Sequence, residues 1–142
     1  MHNVGIALQS LQEDEHMPVG WKKATGHMIF DVKMDFTRKV RWVLDGHKCL
    51  DPFGSTYAGV VSRDSIRIAF TYAALNELEV CAADIRNAYL QAPSLQKAYV
   101  ICGPGFGLEH VGKRALIKRA LYGGKAAGRD FRNHIRCCMR HL

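Results

Sequence analysis

Long apolar runs are missing from this sequence. None approaches the roughly 20 residues that a helix needs to cross a bilayer, so no membrane-embedded role is expected. The opening MHNVGIALQSLQEDEH lacks the basic-then-apolar order of a secretory leader, so a cytoplasmic or nuclear location is expected. No C-x-x-C pair occurs among the five cysteines, so a structural zinc site has little support. Their odd number and scattered positions suit reduced thiols rather than a disulfide framework. Internal repeats, linkers and low-complexity stretches are absent as well, and 142 residues make one domain able to bury a core.

Charge and pattern are what the chain does have. The formal net charge is +7, which favours an anionic partner, with nucleic acid the commonest, although solubility alone also accounts for it. The acidic patch Gln12–His16 is read as a solvated turn, and MPVGWKK as a Pro-Gly turn. From His27 the chain alternates: Met28, Phe30, Val32, Met34 and Phe36 share one face of a half-buried strand. A second strand follows with Val40, Trp42 and Leu44 inward. Asp51–Gly59 is a loop dense in turn formers. SRDSIRIAFTYAALNEL predicts a helix with Ser62 as N-cap and Ile66, Ala69, Phe70, Ala73 and Ala74 on its apolar face. EVCAAD, KAYVICG and RALIKRALYGG are expected to be strands, GPGFG a turn, and Lys125 onward a second helix. That helix carries an apolar face of Ala127, Phe131, Ile135, Cys138 and Leu142. The order ββ-α-β-β-β-α predicts an α+β domain with a mainly antiparallel sheet.

Several stretches carry candidate chemistry. GLEHVGKR places Gly107, Gly112 and Lys113 as in a P-loop, but Arg114 stands where a Mg²⁺-binding hydroxyl belongs, so the segment reads as a surface loop. The seven histidines show no pairing with a cysteine or acid at catalytic spacing. Arg129, Arg132, Arg136 and Arg140 fall on one side of the last helix, either as a phosphate-contacting stripe or as a solvated basic face. Lys39 and Arg41 are two residues apart on a strand, so they project together, opposite Val40 and Trp42. They are placed to grip a triphosphate or simply to face solvent. Asp84 ends the apolar run Val80–Ala83; it is either an N-cap for the turn that follows or a Mg²⁺ ligand.

In order along the chain, TRKVRWVLDG, SIRIAFTYAAL, ADIRNAYLQAP, YVICGPGFG and RALYGGKAAGRDF resemble successive motifs of the reverse transcriptase of copia-type LTR retrotransposons. The resemblance covers about four fifths of the chain. It implies template-directed addition of deoxynucleotides to a primer, with an RNA or DNA template-primer and deoxynucleoside triphosphates as partners and Mg²⁺ as cofactor. By the same resemblance Asp84 is the first metal-binding carboxylate and Ile85 lends its backbone to the triphosphate site. Tyr89 is the gate that rejects a 2′-hydroxyl, Lys39 and Arg41 meet the triphosphate, and Tyr122, Gly123 and Lys125 line the nucleotide and template pocket.

The departures are specific. Gly128 stands where the family has proline, and the family's Tyr-x-Asp-Asp motif, source of the remaining carboxylates, does not occur. The expectation is therefore an N-terminal extension over 1–26 and, over 27–142, the fingers and N-terminal palm truncated before that motif and inactive alone. The missing palm and thumb would belong to a longer polyprotein. A non-catalytic basic nucleic-acid-binding remnant and an inert, poorly folding product are the alternatives.

Overall fold

The computed structural model describes residues 7–12, 15–49 and 54–141. The strands are β1 (Leu8–Ser10), β2 (Lys22–Lys23), β3 (Gly26–Val32), β4 (Arg38–Leu44), β5 (Ala98–Ile101) and β6 (Arg114–Ile117), and the helices are α1 (Arg63–Leu75), α2 (Ala88–Gln91) and α3 (Ala127–Met139). The chain is α+β, as its pattern predicts. A four-stranded sheet runs in the order β1-β6-β5-β2, and β3 and β4 form a separate hairpin. All pairings are antiparallel except the two-residue contact of β2 with β5. β1 and β2 lie in the region read as an extension, yet both are built into the sheet.

The core forms where strands have partners. Ala7, Ala24, Leu44, Val100, Cys102, Ala115, Ile117 and Leu121 bury together between the sheet and the base of the hairpin, with Trp42 and Phe106 packed against them. Ala92, Ala120 and Ala127 make a second cluster under Tyr89 and Phe131. Small residues matter here: alanine lets α2, the loop before β5 and the start of α3 approach closely, and the Ala120 N–H donates to the Ala92 carbonyl at 2.9 Å. Asp130 is the one buried charged residue among those described. It accepts a hydrogen bond from the Leu95 N–H at 3.2 Å and pairs with Arg129 at 2.8 Å, tying α3 to the loop that enters β5.

Local signals fix most boundaries. Ser62 caps α1, its Oγ accepting from the Ser65 N–H. The Pro18–Trp21 turn closes with Gly20 at positive φ. Gln12 and Glu15 bond across the acidic patch, whose residues 13 and 14 lie outside those described. GPGFG forms a short 3₁₀ turn, Pro104–Phe106, and the P-loop-like stretch is the irregular surface connection between β5 and β6.

Four expectations need correction. EVCAAD is not a strand: residues 78–85 are irregular and pair with no other strand, and Val80 is exposed. β-prone residues without a ladder partner leave their backbone groups to water, and the extended conformation gains nothing. The first alternating strand stops at Val32, because the chain turns at Met34 and Asp35; Phe36 takes a left-handed φ of 59°, and the Asp35 carboxylate accepts from the Thr37 N–H. Phe30, Val32, Met34 and Phe36 are therefore exposed rather than half-buried. The apolar face expected of α1 buries only Ala73, leaving Ile66 and Phe70 in solvent. Of the apolar face expected of α3, Cys138 is exposed, and Leu142 lies outside the described residues.

Candidate nucleotide site

The hairpin register decides where its cations point. Arg41 pairs opposite Ile29 and Lys39 opposite Asp31, while Val40 faces Phe30 and Trp42 faces Met28. Alternation then puts Lys39, Arg41 and Val43 on one face, and Val40, Trp42 and Leu44 on the other. Trp42 packs edge-on against Phe106, ring centroids 5.4 Å apart. A cleft of about 440 Å³ opens beside them, lined by Thr25, His27, Met28, Trp42 and Phe106. Lys39 and Arg41 do not line it.

At the base of the hairpin, Val43 and Leu44 meet the turn at Tyr122 and Gly123. The Leu44 N–H donates to the Tyr122 carbonyl at 2.8 Å. Gly123 has a φ of +81°, and a Cβ there would stand 2.2 Å from the Leu44 carbonyl oxygen and 2.6 Å from Val43 Cγ1. Gly46 answers it: a Cβ there would lie 2.1 Å from the Gly123 oxygen. Only a glycine pair allows this approach of two backbones.

Tyr122 leads on to the aromatic corner. Its ring lies 4.9 Å from that of Tyr89 at an interplanar angle of 60°, and Phe131 meets Tyr89 edge-on at 6.0 Å. Tyr89 sits on α2, entered through Asn87 in the left-handed region. Lys125 follows the glycine turn and lies beside buried Cys49: burial pushes the Cys49 thiol up, and the Lys125 charge works against that rise. Thus the structure joins Tyr89, Tyr122, Gly123 and Phe131 in one corner, with Lys125 close by and Lys39 and Arg41 further along the strand face that Val43 begins.

Asp84 and Ile85 sit on the exposed segment that precedes α2. Asp84 is not an N-cap, since that position belongs to Asn87, and among the described residues nothing bonds its carboxylate. Among the described residues no group of three or more His, Cys, Asp or Glu side chains is placed to hold a metal ion. One exposed carboxylate does not provide the ligand set that Mg²⁺ needs, so the described residues do not fit the implied cofactor.

The arginine stripe divides in two. Arg132, Arg136 and Arg140 are exposed. Arg129 is largely buried: its guanidinium donates to Asp130 Oδ1 at 2.8 and 3.0 Å and to the Ser55 carbonyl at 3.3 Å. The chain around Ser55 crosses this end of α3, and Gly128 makes room, since a Cβ there would lie 3.2 Å from Ala58 Cβ.

Histidine pairing was missed in the sequence. His27 Nδ1 bonds Asp45 Oδ1 at 2.7 Å, and the Thr25 hydroxyl donates to the other oxygen at 2.7 Å. That pair depends on hairpin register and has no short-range signal. His134 with Cys138 (3.8 Å) was legible, because residues four apart share a helix face, and Cys137 with His141 (4.0 Å) repeats that spacing just past the helix end.

The family model described as Reverse transcriptase (RNA-dependent DNA polymerase) matches residues 10–142. No curated protein and no solved structure matches the chain.

Proposed function

Because the chain belongs to the reverse transcriptase (RNA-dependent DNA polymerase) family, we propose that it forms the fingers and N-terminal palm of a copia-type enzyme, the half that receives nucleotide and template. The observation that carries this reading is the corner itself. The Tyr89 and Tyr122 rings meet where a glycine turn docks the cationic hairpin, so an aromatic surface for a nucleoside adjoins a basic face for its phosphates. Lys39 and Arg41 attract the triphosphate by charge; Asp31, opposite Lys39, offsets part of that charge when no ligand is bound. The Tyr89 ring blocks an added 2′-oxygen, and the backbone at Ile85 approaches the phosphates.

Asp84 contributes one carboxylate to the reacting end. The others are not in these 142 residues, which contain no Asp-Asp pair, so no phosphoryl-transfer step is assigned to the chain alone. Primer extension on an RNA template tests this. The purified chain is expected to give none, and extension abolished by Asp84→Ala would overturn the assignment. A second reading, nucleic-acid binding without catalysis, is favoured by the exposed Arg132, Arg136 and Arg140. Replacing these three with Gln should flatten the log–log salt dependence of oligonucleotide binding by about two to three units if all touch phosphate. Identical slopes would assign the arginines to solubility.

A further inference from the structure

The end of α3 and the residues just past it carry four metal-ligand side chains in eight residues: His134, Cys137 and Cys138 on the helix, and His141 directly after its C-cap, Arg140. Arg140 keeps helical φ and ψ, so the path continues to His141, and at 100° per residue the four span about 100° of circumference, one face opposite Arg132, Arg136 and Arg140. Two of the contacts are already formed. Cys138 Sγ lies 3.8 Å from His134 Nε2, and Cys137 Sγ lies 4.0 Å from His141 Nε2. In a tetrahedral zinc site with ordinary Zn–S and Zn–N bonds, the sulfur–nitrogen separation is about 3.6 Å. Each pair therefore sits within a few tenths of an ångström of chelating distance.

We propose that this end of α3 is a Zn²⁺ site, with the two Cys–His pairs as its donors. The donor chemistry selects the metal: two thiolates and two imidazoles suit Zn²⁺, whereas Mg²⁺ and Ca²⁺ take oxygen ligands. As placed, each pair offers two donors and no three converge. Both thiols are exposed, so rotation of surface side chains can bring the pairs around one ion without disturbing the core. Each thiol gives up its proton on binding, and the two thiolates balance the charge of the ion. The buried Cys49 and Cys102 are too far inside to take part, and Cys81 is exposed but belongs to the segment before Asp84. This inference stands apart from the polymerase reading, because it uses none of that site's residues.

The test is titration of the reduced full chain with Co²⁺, followed by Zn²⁺. One equivalent of Co²⁺ should produce thiolate-to-cobalt charge-transfer bands with the intense visible bands of tetrahedral coordination, and Zn²⁺ should bleach them. Zn²⁺ should also protect two of the three exposed thiols from a thiol reagent, leaving Cys81 reactive. The variants Cys137→Ser with Cys138→Ser, and His134→Gln with His141→Gln, change exposed or half-exposed side chains, and circular dichroism checks that they fold. Both should lose tight binding, by at least tenfold. Absence of the bands, or bands of equal intensity in the folded double variants, would overturn the proposal. So would protection of Cys81 in place of Cys137 and Cys138.

Discussion

Val100 and Phe70 are both apolar residues in periodic segments, and the fold treats them oppositely. Val100 is 2% exposed in the middle of the four-stranded sheet, whereas Phe70 is 55% exposed on α1. The same contrast separates two regions. Around β5, β6 and the start of α3, apolar positions find partners, and the buried Asp130 is satisfied by Arg129 and Leu95. From Tyr57 to Ile85, and at the far end of the hairpin, Val60, Ile68, Leu75, Val80, Phe30 and Phe36 face solvent. The lesson is that periodicity encodes a face to be buried, while burial needs a second surface. The described residues supply that surface in one region and not in the other.

Substitutions in the two regions should differ in cost. Leu116→Ala, at a position 3% exposed, should lose about 2–5 kcal/mol, read as a lower urea midpoint. A loss below about 1 kcal/mol would mean that the sheet is less well packed than it looks. Gly123→Ala comes next: a left-handed φ and a backbone clash should together remove about 2–3 kcal/mol. It should also reduce nucleotide binding, because the hairpin loses its seat beside Tyr122. An unchanged midpoint would mean the turn relaxes freely.

Legibility followed the same divide. Helix α1 was readable because Ser62 and the 3.6-residue spacing are local signals, and β5 and β6 because their flanking turns are. The strand expected at Glu79–Asp84 failed because pairing is not local. Arg129 was read as part of a free stripe because nothing in its own helix reveals that the chain at Ser55 crosses over it. The motifs placed Tyr89 and Tyr122 in one site, but that their rings touch follows only from the packing of α2 against the glycine turn.

Two smaller effects complete the comparison. Phe70→Ala should change stability by no more than about 0.5 kcal/mol, since the residue is already more than half exposed. A loss of 2 kcal/mol or more would show that α1 is covered in solution. Asp45 is smaller still and confined to acid. Hydrogen bonds from Thr25 and then His27 hold its carboxyl below the usual value of 3.8. Its stabilisation is therefore complete above that value and lost as pH falls through the lowered pKa. Wild type should exceed Asp45→Asn in stability at pH 6, and the two should converge in strong acid. A constant difference down to pH 2 would contradict the assignment.

Deoxynucleoside triphosphate binding by the isolated chain, followed by tyrosine and phosphorus NMR, tests whether the aromatic corner and the cationic hairpin form one nucleotide site. Binding should shift the Tyr89 and Tyr122 ring signals. Lys39→Gln combined with Arg41→Gln should weaken it by about tenfold or more, the order expected when two charge-assisted contacts are lost. Shifts confined to the Trp42–Phe106 cleft, or affinity unchanged in the double variant, would contradict the account.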